Sequence, residues 1–338
     1  MENQILQQES MKNILIKLPE SMQQRIRNIP EHALRQLEEI RIRTGTDTRL
    51  IGGGREINLH DREEISAEVL DEILNRLLEY SYYAYEEELA RGYITVEGGH
   101  RVGICGRVSL QDGKVHLIKD ISSLNIRRSR EITGASDKIL GSVLREDPAK
   151  STFGASAKDN VNVRNTLIIS PPKCGKTTIL RDLARNLSNR GFRIGICDER
   201  SEIAGCCNGS TSYDLGPRTD VLDGCPKAEG ILMLIRAMSP DVVMTDEIGK
   251  PEDASAIRSA LSAGVKIVTT IHGSSFEDAA KSAVGDLITD HIFETLIILT
   301  AQPKTGTVRK ILQLADEKDE KAEIFPLPEA ALQEVQYG

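Results

Sequence analysis

The sequence contains no tryptophan, and aromatic residues make up only 4% of its 338 positions. Few side chains are therefore available to stack on nucleic-acid bases. Positive charge is also in short supply, because the formal net charge is -8. Contacts to many phosphates need clustered Lys and Arg, so this balance disfavours a general polyanion-binding surface. Both shortages argue against nucleic acid as a partner.

The six cysteines lack paired C-x-x-C spacing, which supports neither a zinc ribbon nor a disulfide framework. No run approaches the roughly eighteen consecutive apolar residues that a membrane helix needs. The first residues also lack a basic segment that leads into an apolar one. We therefore expect a cytoplasmic, soluble protein with reduced thiols. Its length suffices for two globular domains.

Residues 1–130 predict a small N-terminal α+β domain. An amphipathic helical pattern over 11–40 precedes short strands in 41–59 that are broken at the turn Gly52-Gly-Gly54. Ser66 can cap a helix whose apolar residues share one face. These residues are Val69, Leu70, Ile73, Leu74, Leu77 and Leu78. Alternating segments at 93–96, 101–108, 114–118 and 121–126 predict an antiparallel meander.

The remainder of the chain divides into three further predicted segments. Residues 131–163 are expected to form a linker, whose small, polar stretch from Ser151 to Asn160 is typical of a hinge. Residues 164–325 alternate between strand and helix patterns, including a helix at 227–238 and a strand at 266–271, which predicts an α/β domain with a mostly parallel sheet and helices on both faces. Residues 326–338 are expected to form a C-terminal tail.

A phosphate-binding loop opens this α/β domain. Its residues are Ser170, Pro171, Pro172, Lys173, Cys174, Gly175, Lys176, Thr177 and Thr178. The run follows a predicted strand and opens a predicted helix, as the P-loop template requires. Gly175 permits close backbone approach, Lys176 neutralises phosphate charge, and the Thr177 hydroxyl suits Mg²⁺. We therefore expect ATP and Mg²⁺ as ligands of a RecA-like P-loop domain. One departure is Ser170, which occupies the first motif position in place of glycine.

Carboxylates follow two other predicted strands of this domain. The apolar strand 242–245 ends in Asp246 and Glu247, where an α/β sheet places groups at its binding edge. We expect Asp246 to hold the magnesium shell and Glu247 to orient or deprotonate the attacking water. Asp198 and Glu199 end the strand after the P-loop helix, and one of them could help the base role.

His272 ends the predicted strand at 266–271 and could sense the γ-phosphate through hydrogen bonds. A core or surface histidine without a ligand is the simpler alternative for this residue. Likewise, a solvated acidic turn is the simpler alternative for the carboxylates after residue 245.

Four blocks in this order resemble the secretion ATPases of type II and type IV systems: SPPKCGKTT, CDERSEI, DVVMTDEIG and TTIHGSS. Three N-terminal blocks, EEIRIR at 38–43, GGHRVGICG at 98–106 and ISSLNIRR at 121–128, are similar to the stage III sporulation protein AA family, a relative of those ATPases. The resemblance covers residues from about 30 to about 315. The secretion ATPases usually carry Gly-Glu-Ile-Arg-Asp after this strand, so Glu247 matches while Asp246, Gly249 and Lys250 depart.

The resemblance implies a homo-hexameric ring in which the N-terminal domain closes over nucleotide, with arginines that reach the phosphates. Arg127, Arg128 and Arg130 are candidates for the closing clamp, and Arg200 and Arg218 for contacts across the ring. For any one of them, a solvated basic residue is the competing interpretation. The family also implies membrane proteins of the stage III sporulation complex as partners, and recruitment to the inner face of the membrane.

Three functions are compatible with these residues. The first is an ATP-hydrolysing motor of a sporulation-associated, secretion-like transenvelope complex. The second is a nucleic-acid-dependent RecA-like ATPase, because the same core fold serves many tasks. The third is a nucleotide-binding assembly scaffold with little hydrolysis, as Ser170 and the altered residues after Glu247 suggest.

Overall fold

A computed structural model describes residues 11–59, 65–146, 161–207, 209–314 and 332–334. The chain forms two compact units. Unit 1 comprises Met1–Glu131 with Gly205–Tyr213, and unit 2 comprises Ile132–Ala204 with Asp214–Gly338. The polypeptide therefore passes from one unit to the other after residues 131, 204 and 213.

Unit 1 is built on an antiparallel sheet of six strands in the order β3-β2-β1-β6-β5-β4. The strands are β1 (Leu37–Arg43), β2 (Arg49–Gly52), β3 (Arg55–Asn58), β4 (Tyr93–Val96), β5 (His100–Gln111) and β6 (Lys114–Arg127). Its helices include α1 (Glu20–Arg27), α2 (Glu31–Arg35), α3 (Ala67–Leu77) and α4 (Glu86–Ala90), with a 3₁₀ turn at Tyr82–Tyr85.

Helix α3 shows why this unit folds as the sequence predicts. The Ser66 hydroxyl accepts a hydrogen bond from the Val69 backbone N–H at 3.4 Å, so the predicted cap is confirmed. Leu70, Ile73, Leu74 and Leu77 are buried in the core of the unit together with residues of the sheet. Their i, i+3, i+4, i+7 spacing places them on one helix face.

Strand β6 differs from the prediction. Residues 114–118 and 121–126 were expected to be separate strands, but they belong to one continuous strand, Lys114–Arg127. Asp120 adopts a left-handed φ of 47°, and the pairing with β5 shifts register between Cys105 and Arg107. A bulge of this kind interrupts the alternation of side chains without ending the strand, which explains the apparent break in the sequence.

Unit 2 contains a sheet of eight strands in the order β11-β10-β12-β13-β9-β14-β15-β16. The first six are parallel, and β15 and β16 are antiparallel to their neighbours. The strands are β9 (Thr166–Ser170), β10 (Ile194–Asp198), β11 (Thr219–Asp223), β12 (Val242–Thr245), β13 (Lys266–His272), β14 (Thr295–Thr300), β15 (Thr307–Leu314) and β16 (Leu332–Glu334).

The helices of unit 2 cover both faces of this sheet. They are α5 (Asp137–Val143), α6 (Lys176–Asn189), α7 (Lys227–Met238), α8 (Pro251–Ser262), α9 (Phe276–Ala280) and α10 (Asp286–Thr289). Helices α7 and α8 share a hydrophobic core with alternate strand residues such as Leu167, Ile169 and Val243. Successive strand residues point to opposite faces, and α6 lies against the other face. The predicted α/β class with a mostly parallel sheet is confirmed.

The predicted linker, residues 131–163, is partly folded within unit 2. Its described residues include α5 and a two-stranded sheet of β7 (Leu144–Glu146) and β8 (Val161–Val163). Ile139 and Val143 of α5 are fully buried. The predicted hinge, Ser151 to Asn160, lies outside the described residues. In the predicted tail, Leu332–Glu334 pairs with β15, and the other residues lie outside the described part.

Among the described residues, no helix combines the length and apolar character that crossing a membrane requires.

Candidate active site

The phosphate-binding loop connects the buried strand β9 to helix α6 at the carboxyl edge of the parallel strands. Gly175 immediately precedes the helix with φ 85°, a left-handed conformation that glycine adopts without strain. Lys173 is also left-handed, at φ 60°, and is exposed. The loop therefore presents the amino end of α6 in the geometry that binds phosphate in P-loop proteins.

Ser170 needs no glycine-like conformation. It is fully buried as the last residue of β9, pairs in register with His272, and is not among the residues with positive φ. Its hydroxyl donates to the Pro171 carbonyl at 2.9 Å, and its own carbonyl accepts from Lys176 Nζ at 3.2 Å. The turn does not use the freedom of glycine at this position, so serine fits without backbone strain.

Lys176 and Glu247 meet at this edge. Lys176 is 5% exposed, and its Nζ lies 3.4 Å from Glu247 Oε1. Arg200 Nη1 approaches the other carboxylate oxygen of Glu247 at 3.7 Å. Glu247 itself is left-handed at φ 41°, and its backbone N–H donates to Thr270 Oγ1 at 2.9 Å. A non-glycine residue in this region carries strain, and such strain clusters at functional sites.

Asp246 is buried at the same edge without a complete set of partners. Its Oδ1 accepts no hydrogen bond from the described residues, and Lys227 Nζ lies 3.9 Å from it. Burial raises the pKa of Asp246 to about 7, against the lowering effect of Lys227 and with a further increase from Asp198. A buried carboxylate oxygen without a donor is poorly solvated, which is the environment that a divalent cation relieves.

Asp198 contrasts with Asp246 because its oxygens are occupied. Oδ1 accepts from the Glu202 N–H at 2.9 Å, and Oδ2 accepts from Ile203 at 2.9 Å and from Ala204 at 2.8 Å. Burial raises the pKa of Asp198 to about 6, although these amides act in the opposite direction. The side chain holds the loop that follows β10. Its role in the base chemistry stays a prediction.

Glu199 forms an ion pair with Lys227, which is 7% exposed at the start of α7. Lys250 Nζ lies 3.9 Å from the other oxygen of Glu199. Burial alone would raise the pKa of Glu199, but the Lys227 hydrogen bond and charge outweigh it and the pKa is lowered. Lys227 thus links Glu199 to Asp246 through one buried ammonium group.

The remaining predicted residues divide by position. His272 is exposed at the end of β13, opposite Ser170, and therefore shares the loop's edge. Thr177 and Thr178 are partly buried in the first turn of α6, Pro171 is partly buried, Pro172 is exposed, and Cys174 is 3% exposed.

Arg218 precedes β11 and so lies at the amino edge of the parallel strands, away from the phosphate loop of its own chain.

Arg127, Arg128 and Arg130 belong to unit 1. Arg128 Nη1 donates to the Leu34 carbonyl at 3.2 Å, and Arg130 Nη2 donates to the Arg35 carbonyl at 2.9 Å, at the end of α2. Arg127 Nε lies 3.9 Å from Glu39. Two of the three guanidinium groups therefore satisfy carbonyls at a helix terminus. Their role as a clamp on nucleotide stays a prediction.

Three residues at this edge were missed by sequence reasoning. Lys227 follows Pro226 at a predicted helix start, but the sequence gives no sign that its ammonium group is buried against two carboxylates. Thr270 gave a signal, because a threonine pair precedes His272 in a predicted strand. Gly306 donates from its backbone to the Cys174 carbonyl at 3.1 Å, a long-range contact that no local pattern indicates.

The arrangement can hold a nucleoside triphosphate and a divalent cation. The backbone of the loop and Lys176 supply positive potential, and Asp246 supplies an anionic oxygen without a hydrogen bond from the described residues. The described residues contain no group of three or more His, Cys, Asp or Glu side chains placed to hold a metal ion. A magnesium ion here would therefore depend on phosphate oxygens for much of its coordination, as is common for Mg²⁺.

The model of the family described as sporulation stage III, protein AA matches residues 7–321. Stage III sporulation protein AA of Bacillus subtilis (strain 168) is 42% identical over 308 residues, which cover 89% of this chain and 94% of that protein. The uncharacterized protein ycf45 of Porphyra purpurea is 32% identical over 210 residues, 60% of this chain and 35% of that protein.

A solved structure with a similar fold is that of the pilus retraction motor PilT with bound ADP. It superposes with a TM-score of 0.52 at 14% sequence identity, over 83% of this chain and 80% of that chain. At this identity the likeness concerns the fold, and it agrees with the P-loop α/β architecture of unit 2.

Proposed function

The chain belongs to the sporulation stage III protein AA family, and we propose that it is an ATPase that binds and hydrolyses MgATP at the carboxyl edge of the unit 2 sheet. The observation that carries this proposal is the juxtaposition of Lys176, Glu247 and the buried Asp246 at one end of the phosphate loop. A lysine, a carboxylate for water and a carboxylate for metal are the side chains that phosphoryl transfer requires.

Each residue has a definite task in the proposed reaction. Lys176 and the amides at the start of α6 bind and orient the phosphates. Thr177 and Asp246 would hold Mg²⁺, which neutralises charge on the phosphate oxygens when bound. Glu247 positions the attacking water or accepts a proton from it. Because Lys176 lies 3.4 Å from Glu247, the ion pair has to open before the lysine can serve phosphate and the carboxylate can serve water.

The family supports a wider proposal for the assembly. We propose a homo-hexameric ring that acts as the motor of a sporulation-associated, secretion-like transenvelope complex, with membrane proteins of the stage III complex as partners. The protein would then act in the cytoplasm, recruited to the inner face of the membrane. The net charge of -8 and the absence of tryptophan support this reading over a nucleic-acid-dependent ATPase.

A matched pair of lysine variants tests the site. Lys176→Ala is expected to reduce MgATP turnover by about 10²-fold or more, because removal of one preorganised charge at a reacting phosphate has an effect of that order. Lys138→Ala is the control, since Lys138 is exposed on α5. Turnover and ATP affinity are measured on the full chain, with molar mass measured against protein concentration in parallel. Unchanged turnover in Lys176→Ala would refute the proposed site, and a monomer with full turnover would refute the ring.

A further inference from the structure

Helix α6 does more than present the phosphate loop. It begins at Lys176 and carries polar side chains that are buried in unit 2: Arg181 at 6% exposure, Asp182 at 4% and Ser188 at 0%. Charged groups are rarely buried unless they are paired or hydrogen-bonded. None of these three side chains is assigned to the nucleotide site above. Their partners therefore indicate their role.

Within α6, Asp182 pairs with Arg185 at 2.6 Å, and its partners outside the helix lie just after the first passage of the chain into unit 2, at residue 132. Asp182 Oδ1 accepts from the Gly134 N–H at 3.1 Å. Asp182 Oδ2 accepts from the Ser136 N–H at 2.8 Å and from the Ser136 hydroxyl at 2.7 Å. Burial alone would raise the pKa of Asp182, but hydrogen bonds from Ser136, Arg185 and Gly134 outweigh it and the pKa is lowered. The carboxylate thus fixes the first residues that enter unit 2.

The partners of Arg181 lie just before the chain leaves unit 2 at residue 204. Arg181 Nε donates to the Ile203 carbonyl at 2.7 Å, and Nη2 donates to the Glu202 carbonyl at 2.8 Å. The N–H groups of the same residues bind Asp198, as described above. The planar guanidinium therefore grips two consecutive carbonyls from the opposite side of the segment, a geometry that lysine cannot reproduce.

The partner of Ser188 lies just after the third passage, where the chain returns at residue 214. Ser188 Oγ accepts from the Arg218 N–H at 2.7 Å. Gly216, left-handed at φ 84°, lies so close that an added Cβ would come within 2.6 Å of the Ser188 Cβ. Position 216 therefore requires glycine, and the returning chain is fixed against the last turn of α6.

We propose that Arg181, Asp182 and Ser188 are positioning residues through which α6 transmits the state of the phosphate loop to all three passages between the units. The inference rests on the proposed function, because the signal is nucleotide at Lys176. Arg181 and Ser188 are seven residues apart and thus on one side of the helix, about 10 Å apart along its axis. A helix moves as a rigid rod over this length, so a shift at its phosphate-binding end reaches each anchored segment.

Hydrogen exchange of the full chain, with and without Mg²⁺ and a non-hydrolysable ATP analogue, tests the proposal. In the wild type, we expect the analogue to change exchange in all three segments, 132–136, 202–204 and 214–218, by about fivefold or more. Each variant should abolish the response of its own segment only: Asp182→Asn at 132–136, Arg181→Lys at 202–204, and Ser188→Ala at 214–218. Affinity for the analogue should stay within about threefold of wild type, since none of the three side chains is assigned to the nucleotide site.

Arg190→Ala is the matched control, at the residue that directly follows α6. Arg190 is exposed, and its side chain donates only to the Asn186 carbonyl among the described residues, so all three responses should remain. Ser188→Ala and Arg181→Lys keep the test decisive if Asp182→Asn fails to fold. Analogue binding with no response in the wild-type segments would overturn the inference and leave the proposed function intact, as would variant segments that respond like wild type. No binding of the analogue at all would refute the proposed function itself.

Discussion

Two adjacent parallel strands of unit 2 carry the same dipeptide, Asp-Glu, at their carboxyl ends, yet the surroundings of the two pairs differ. Asp198 after β10 accepts three backbone hydrogen bonds, whereas Asp246 Oδ1 after β12 accepts none from the described residues. Glu199 is paired with the buried Lys227, whereas Glu247 is 45% exposed beside Lys176. The cause is the backbone beyond β10, because residues 202–204 fold back onto Asp198 and no described segment does the same for Asp246 Oδ1. We infer that the first pair stabilises the loops at the carboxyl edge of the sheet, and that the second pair takes part in MgATP binding and hydrolysis.

The largest effect that distinguishes the two Asp-Glu pairs is expected in MgATP turnover. Glu247→Gln is expected to reduce MgATP turnover by about 10²–10⁴-fold with binding retained, because it removes a general base. Glu199→Gln should lower turnover by less than about tenfold, since its effect reaches Asp246 only through Lys227. Steady-state hydrolysis and nucleotide titration measure the two quantities.

Glu252→Gln serves as the matched control, because Glu252 is exposed in the first turn of α8. Equal losses in Glu247→Gln and Glu199→Gln would break the distinction between the pairs. Tight ATP binding with no phosphate release in the wild type, unaffected by Glu247→Gln, would instead favour a nucleotide-binding scaffold.

The next effect concerns stability without nucleotide. Asp198→Ala leaves the N–H groups of Glu202, Ile203 and Ala204 without their acceptor, and we expect it to lower the free energy of unfolding by about 3 kcal/mol. Asp246→Ala removes a buried carboxylate that accepts no hydrogen bond at Oδ1 from the described residues, so its effect should be within about 1 kcal/mol or stabilising. Urea unfolding in chelator measures both. A larger loss from Asp246→Ala would reverse the assignment.

The third effect is the dependence of stability on pH. Because burial raises the pKa of Asp246 to about 7, the folded state binds more protons than the unfolded state from about pH 4 up to that value. Stability from this group is therefore greatest at low pH and is lost as the pH rises through 7. Burial raises the pKa of Asp198 to about 6 and lowers the pKa of His100 to about 4, so the Asp246 contribution between pH 6 and 7 is read from the difference between the wild type and a variant.

In this interval, without nucleotide or Mg²⁺, we expect the wild type to lose about 1 kcal/mol of unfolding free energy that Asp246→Asn does not lose. Asp220→Asn, at an exposed position of β11, is the control and should follow the wild type. An unchanged slope in Asp246→Asn would show that its carboxylate is already solvated or paired.

The sequence was sufficient for the strands and helices that carry the phosphate loop. The expected strand at 242–245 and the helix at 227–238 have the observed bounds, because buried parallel strands and amphipathic helices leave clear patterns. Spacing also placed both Asp-Glu pairs at strand ends. It could not distinguish them, because the hydrogen bonds of Asp198 depend on how residues 202–204 fold.

Sequence reasoning also did not predict that Gly205–Tyr213 belongs to unit 1. Local periodicity indicates which face of a helix or strand is buried, but it does not indicate to which unit a short loop belongs. The same limit hid Arg181, Asp182 and Lys227, since a charged residue inside a helical pattern reads as solvated until its buried partners are known.

The smallest expected effect is at Arg200, which follows the first pair and approaches Glu247 of the second at 3.7 Å. Both side chains are about half exposed, so the ion pair is screened by solvent, and Arg200→Ala should change the free energy of unfolding by less than about 0.5 kcal/mol. If Arg200 instead reaches phosphates across a ring, turnover in Arg200→Ala should fall while stability stays constant, and Arg200→Lys should restore it only in part, because a bidentate guanidinium contact is lost. Unfolding and hydrolysis measured on the same preparations separate these roles. A stability loss above about 2 kcal/mol would show that the two Asp-Glu regions form one coupled structure through this arginine.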